Sequence, residues 1–379
     1  MIQVFQPSLG KEELAAIQQV FESNWLGRGK RVAEFEKRFA SFRGASPGSV
    51  VATTCASEGL FTAAEILGWG PRDEIVIPSI SFVAAASAVC RVGAIPILCD
   101  VDYRTLNATV SDIARVMTPR TKGVILNHYG GYPAPVDMIA EFCQEHGLAL
   151  VEDAACAVAS AVNGQAVGTF GDVGVWSFDS MKILVTGDGG MVYGRDPKVV
   201  RAIRQGIYLG LPPEEKSGVD RSKSAKDRWW EFEIESFGRR AIMNDVTAAM
   251  GLVQLGRLPH FVRRRSELAA RYNQGLAGIP GLLTPPESPT NFTVTNYLYW
   301  IQLERRDELA RYLLQHGVYT TFRYWPLHKV KMFGHNTGPL PEAERAAETT
   351  LNLPCHQAMT DEEVDRIVEL IASFLNRAG

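Results

Sequence analysis

The chain has 379 residues, which suits two domains of unequal size and is too long for one small core. Hydrophobic residues make up 46% and charged residues 21%, which excludes a disordered chain, and a formal net charge of -3 excludes a general nucleic-acid binder, which needs a basic excess. No run approaches the roughly 18 apolar residues of a membrane-spanning helix, and the amino terminus has no charged segment ahead of an apolar stretch, so a soluble, cytoplasmic protein is expected.

From residue 49 to 195, short β-rich runs alternate with helical stretches. A strand over Ser49–Thr53 leads into Cys55-Ala-Ser57 and a helix over Ser57–Leu67. Free backbone N–H groups at that junction, the helix dipole and the Ser57 hydroxyl suit either a phosphate or an ordinary helix cap. A strand over Glu74–Ile77 is followed by Phe82 and a helix over Val83–Val92; the Phe82 ring suits a planar ligand or the core equally. Further strands are predicted at Ile95–Asp100, Gly123–Asn127, Ala149–Asp153, Val173–Ser177 and Gly190–Tyr193, with helices at Val110–Val116 and Val136–His146. This rhythm implies an α/β fold with a mainly parallel central sheet covered by helices on both faces. Ligands of such sheets lie at the carboxyl ends of the strands, which places Cys55, Ala56, Ser57, Phe82, Asp153 and Ser177 along one edge.

Residues 211–235 break the rhythm and read as a long polar surface loop. Its cations Lys216, Arg221, Lys223, Lys226 and Arg228 stand beside Trp229 and Trp230, a combination that suits a diphosphate and a base or simply a solvated loop. A long helix is predicted from Asp245 to about Gln274, interrupted near Pro259. A strand-like run at Asn296–Leu303, a helix near Asp307–His316 and a closing helix at Asp361–Asn376, capped by Thr360, complete a smaller α+β unit. The expected division is residues 1–245, a large ligand-binding domain with its amino-terminal segment, and residues 246–379, a small carboxyl-terminal domain.

The chemistry concentrates in two places. Leu148-Ala-Leu-Val-Glu-Asp153 ends a strand in an acid, and Lys182 follows about thirty residues later on a turn closed by Gly187-Asp-Gly-Gly190. A lysine and a strand-end aspartate are two groups that a pyridoxal 5'-phosphate (PLP) enzyme must supply: the lysine forms a Schiff base with the aldehyde, and the acid keeps the ring nitrogen protonated. Ser177, five residues before the lysine, is within reach of a phosphate. Arg240 offers a rigid fork of donors suited to a fixed dianion. The six cysteines show no C-x-x-C spacing, and His128, His328 and His356 lack metal-ligand spacing, so reduced thiols and no metal site are expected.

Several blocks resemble the DegT/DnrJ/EryC1/StrS family of PLP-dependent sugar aminotransferases, with the type I, aspartate-aminotransferase fold. They include Ser23-Asn-Trp-Leu-Gly-Arg-Gly29, Val76-Ile-Pro-Ser-Ile-Ser-Phe-Val-Ala84, Val151-Glu-Asp-Ala-Ala155, Gly171-Asp-Val-Gly-Val-Trp-Ser-Phe178 and Tyr324-Trp-Pro-Leu-His328. The resemblance implies that Lys182 carries the cofactor, Asp153 pairs with its ring nitrogen, Phe82 stacks on it, and Ala56, Ser57 and Ser177 hold its phosphate. It further implies transfer of an amino group from L-glutamate to a dTDP- or GDP-linked 4-keto- or 3-keto-6-deoxyhexose. Trp25, Leu26, Lys216, Arg228, Trp229, Tyr324 and His328 are the candidate substrate contacts. The family works as homodimers whose subunits complete each other's sites. The chain departs from the family pattern twice. Arg240 stands where an asparagine is usual and replaces it as a charged phosphate contact across the dimer, and Cys156 stands where a glutamine or histidine usually approaches the cofactor's phenolic oxygen. Members with histidine at the lysine position act as dehydratases, so Lys182 points to transamination. Alternatives are a cyclitol ketone or aminoshikimate-type precursor as acceptor, or a non-catalytic regulator of the same fold. A nucleotide-sugar dehydrogenase is disfavoured, because no G-x-G-x-x-G follows an early strand.

Overall fold

The computed structural model describes residues 1–212, 228, 230–234, 236–333 and 338–376. Two amino-terminal helices, α1 (Lys11–Glu22) and α2 (Lys30–Phe42), precede β1 (Val50–Thr53) and α3 (Ala56–Ile66). There follow β2 (Glu74–Pro78), α4 (Val83–Arg91), β3 (Ile95–Cys99), α5 (Val110–Val116), β4 (Thr121–Asn127), α6 (Val136–Glu145) and β5 (Ala149–Asp153). A small excursion through β6 (Ala161–Val162) and β7 (Gln165–Ala166) leads to β8 (Val173–Ser177), β9 (Gly190–Gly194) and α7 (Pro197–Gly206).

Seven of these strands form one sheet in the order β1-β9-β8-β5-β4-β2-β3. Only β9 runs against the others. Strands β2 and β8 are buried along their whole length, as continuous apolar runs require when helices cover both faces. Gly59 on α3 lets the helix lie close to the sheet: a Cβ there would stand 2.8 Å from Val192 and 2.9 Å from Val175. On α2, Phe35 and Phe39 pack against Phe178, and Phe39 meets the indole of Trp176 edge-on.

The long helix α8 (Asp245–Leu276) runs unbroken through Pro259, contrary to the predicted interruption. Proline removes one backbone hydrogen bond, a cost of roughly 3 kcal/mol in a helix interior. Leu255, Leu258 and Phe261, buried around that point, hold the helix to the large core and offset it. The same helix serves a second core with its later turns, where Leu268, Tyr272 and Leu276 meet β11 (Tyr299–Gln302), α9 (Arg306–Gln315) and α11 (Asp361–Asn376). Strand β11 pairs antiparallel with β12 (Thr350–Leu353), which follows α10 (Pro341–Thr349), and β10 (Phe292–Thr293) pairs with β6. Ile2 belongs to this second core and bridges to Val318. Thr360 caps α11 as expected: its Oγ1 accepts from the Glu363 N–H at 3.2 Å, and the Glu363 carboxylate accepts from the Thr360 N–H at 3.0 Å. Helices α1, α2, α7 and α10 were not anticipated from the sequence. Among the described residues no helix is long and apolar enough to cross a membrane.

Candidate active site

Sheet register builds the site. Thr53, Gly190 and Ser177 lie side by side across β1, β9 and β8, while Asn127 and Asp153 are paired on β4 and β5. These strand ends open into a cavity of about 400 Å³. Its lining includes Cys55, Ala56, Ser57, Phe82, Asp153, Cys156, Ser177, Lys182 and Tyr324, all selected from sequence.

Asp153 forms the floor. Its Oδ1 accepts the Ala155 N–H at 3.1 Å, and among the described residues no donor reaches the other oxygen. Burial raises its pKa, against the opposing pull of that N–H, Lys182 and His128. A buried carboxylate in this condition gains from a fixed cation beside it. The preceding residue makes the floor rigid: the Glu152 carboxylate accepts the N–H groups of Gly168 at 2.7 Å, Phe170 at 2.6 Å and Gly171 at 2.7 Å, and meets His128 Nε2 at 3.3 Å.

Lys182 Nζ lies 3.6 Å from Cys156 Sγ and 4.7 Å from the centre of the Tyr297 ring. Burial pulls the amine's pKa down, but Cys156, Tyr297, Tyr324 and Asp153 together outweigh it and leave the lysine well above its ordinary value. Tyr324 OH stands 3.8 Å from the same thiol. Burial drives that phenol well above its usual value.

The other end of the cavity is a cradle. Helix α3 begins at Ala56 with no side-chain hydrogen bond on its first N–H groups. Gly190 keeps the space in front of it open, since a Cβ there would lie 2.7 Å from the Ala56 nitrogen. Ser177 Oγ faces the same space and accepts from the Asp179 N–H at 3.3 Å. Asp179 and Asp188 also line the cavity, and burial followed by Asp179 raises the pKa of Asp188. An uncapped helix N-terminus at one end, an amine in the middle and a carboxylate on the floor fit a planar, phosphorylated aldehyde with a basic ring nitrogen, which is the chemistry of PLP.

Of the other sequence candidates, Phe82 lies at the rim of the cavity and the rest of those described lie outside it. Phe82 caps α4 beside the Tyr324 ring, 5.5 Å between centres, and is half-exposed. Arg240 is exposed over Tyr208, outside the cavity of its own chain. Trp25 is exposed, its indole donating to the Arg28 carbonyl at 3.0 Å, and Leu26 is exposed beside it. Arg228 pairs with Glu231 at 2.8 Å on the surface. His328 does not line the cavity: its Nδ1 meets Ser79 Oγ at 2.6 Å and its Nε2 meets Glu344 at 3.3 Å, tying the end of β2 to α10. Lys216, Arg221, Lys223, Lys226 and Trp229 fall outside the described residues. Sequence reading missed Arg323, Asn127 and Tyr129, which line the cavity, and Tyr297, which lies under the lysine. Arg323 adjoins the Tyr324-Trp-Pro-Leu-His328 block, a usable signal; Tyr297 carried none.

Fold and cavity together define an α/β transferase of the aminotransferase class. The chain belongs to the DegT/DnrJ/EryC1/StrS aminotransferase family, whose pattern it matches over residues 7–372. It is 50% identical over 371 residues to a dTDP-4-dehydro-2,3,6-trideoxy-D-glucose 4-aminotransferase of Saccharopolyspora spinosa, covering 97% of this chain and 95% of the relative. It superposes on the crystal structure of the aminotransferase TlmJ from Streptoalloteichus hindustanus with a TM-score of 0.94 and 53% identity, over 100% of both chains. A putative sugar aminotransferase from Streptococcus pneumoniae, in its PMP form, has a TM-score of 0.90 at 23% identity over 100% of both chains, a likeness of fold alone.

Proposed function

We propose that the chain moves an amino group from L-glutamate to the ketone of a nucleotide-linked deoxyhexose, with PLP held at Lys182. The observation that carries this reading is the convergence of Lys182 and Asp153 on one cavity whose far end is an uncapped helix N-terminus. When bound, PLP supplies an electron sink for the carbon that gains or loses a proton. Asp153 holds the cation of the ring nitrogen in place. Once it has given up its own proton, Lys182 Nζ takes the proton from the donor's α-carbon and later returns one to the sugar carbon. The Cys156 thiol, at 3.6 Å, keeps that amine aimed into the cavity. Ala56, Ser57 and Ser177 receive the phosphate. The half identity to a dTDP-4-keto-sugar 4-aminotransferase favours a dTDP-linked 4-ketone over the GDP-linked or 3-keto alternatives.

The phosphate end of the cavity is lined by Asp179 and Asp188, and among the described residues the only lysine and arginine in the lining are Lys182 and Arg323. A dianion there needs a cation from elsewhere, and the exposed Arg240 of a second subunit is our candidate, in a homodimer with shared sites. Arg240→Ala should weaken cofactor retention by about tenfold to a hundredfold, as loss of a charge-assisted bond of roughly 1.5–3 kcal/mol implies, in a dialysis measurement. Mixing the cofactor-loaded enzyme with glutamate should bleach its visible band, and a panel of dTDP- and GDP-ketosugars should restore it. Restoration by an inosose ketone and by none of the nucleotide sugars would overturn the acceptor assignment.

A further inference from the structure

Most arginines among the described residues have a strong acceptor. Buried and half-buried ones do too: Arg43 donates to the Ser160 carbonyl at 2.6 Å, the half-buried Arg104 to Gln302 at 2.6 Å, and Arg265 to the Tyr297 carbonyl at 3.2 Å. Arg323 differs. It lines the catalytic cavity, half-buried, and among the described residues it meets no carboxylate. Its guanidinium stands 4.4 Å from the centre of the Phe5 ring and 5.9 Å from that of Tyr324, whose side chain also takes a hydrogen bond from it, and its Nη2 donates to the Met181 sulfur at 3.2 Å. A thioether is a weak acceptor, and an aromatic face satisfies charge without satisfying the fork of donors. A guanidinium held this way is preorganised for an anion that is not yet present.

Position narrows the anion. Arg323 acts on Cys156, Tyr297 and Tyr324, the same three groups that surround the Lys182 amine. Any anion it binds therefore lies next to the atoms exchanging nitrogen. The cofactor's phosphate belongs to the cradle at α3. In a nucleotide 4-ketosugar the diphosphate leaves the ring from the anomeric carbon, across the ring from the ketone. A carboxylate on the α-carbon of an amino acid, by contrast, is one bond from the carbon that bears the nitrogen.

We propose that Arg323, steadied by the Phe5 ring of the amino-terminal segment, anchors the α-carboxylate of the amino-acid donor, an inference that rests on the aminotransferase reading above. Arg323 then fixes which carbon of the donor faces Lys182 Nζ. Phe5 is a positioning residue in this arrangement. The donor displaces the Met181 contact and takes both arms of the fork.

The test uses the full chain loaded with PLP and three variants, Arg323→Gln, Arg323→Lys and Phe5→Leu. Stopped-flow conversion by L-glutamate gives the donor's KM, and calorimetry gives Kd for glutarate, a non-reacting dicarboxylate, and for dTDP. Arg323→Gln should raise the glutamate KM and the glutarate Kd by about 10- to 100-fold, with dTDP affinity moved by less than about threefold. Arg323→Lys should fall between, because a point charge replaces a two-armed fork. Phe5→Leu should cost about threefold to tenfold, through lost orientation of the guanidinium. Equal glutarate binding in Arg323→Gln and wild type overturns the assignment, as does a loss of dTDP affinity in place of glutarate affinity. Wild-type protein that accepts nitrogen from no amino acid would instead sink the underlying aminotransferase reading.

Discussion

The two walls of the cavity are held by different forces. One wall is the sheet edge, where Asn127, Asp153, Ser177 and Gly190 take their places from strand register and where Glu152 is clamped by three backbone N–H groups. The facing wall is made by Arg323 and Tyr324, with Phe5 packed against the guanidinium; all three belong to no strand or helix and rest on ring contacts. Hydrogen-bonded ladders fix atoms tightly, whereas ring contacts are individually weak and tolerate rearrangement. The sheet wall therefore suits the groups that do chemistry, and the loop wall suits those that choose among substrates.

Damage to the sheet wall should show how sharp that division is. Lys182→Ala should abolish turnover, a loss on the order of 10,000-fold or more, together with the visible absorbance of the loaded enzyme. A variant with normal rates would break the comparison outright. Asp153→Asn should lower kcat/KM by about 100-fold or more in a protein whose circular dichroism is unchanged, since the ring nitrogen loses its counter-charge. Glu152→Gln tests the support behind the wall. Its amide would turn a donor toward N–H groups that need acceptors, so stability in urea should fall by about 2–4 kcal/mol.

The smallest effect concerns the second core. Burial, reinforced by Arg265, pushes His356 down to about 4 from its ordinary 6.5. The unfolded chain then binds a proton near pH 6.5 that the folded chain refuses until about pH 4, so stability from this group is complete above pH 6.5 and is lost as pH falls toward 4. The loss is up to about 3 kcal/mol, and His356→Gln should flatten the dependence of denaturation free energy on pH across that window. An unchanged slope would remove His356 from the account.

The strands of the central sheet were legible because each is a short apolar run ended by a polar or glycine-rich turn, and observed bounds differ from those expected by a residue or two. Helices α1 and α2 were less visible, because their exposed faces mix charges with apolar residues such as Leu14 and Phe21. Pro259 misled, because a local cost gave way to packing on α8 that no local pattern encodes. Asp153 and Lys182 were readable as candidates because strand-end acids and glycine-flanked lysines carry chemical meaning by themselves.

Residue types and spacing alone thus determined the succession of strands and helices along the chain, the sheet's edge as the place for ligands, and the lysine and aspartate that face it. Tertiary structure alone decided what joins Tyr324 on the opposite side. Phe5 is separated from Tyr297 and Arg323 by hundreds of residues, yet it stacks on Tyr297 with ring centres 5.5 Å apart and carries the guanidinium on its face. Periodicity reports the neighbours of a residue within its own helix or strand. Contacts between loops arise only when two cores close on each other, and the sequence holds no local mark of them.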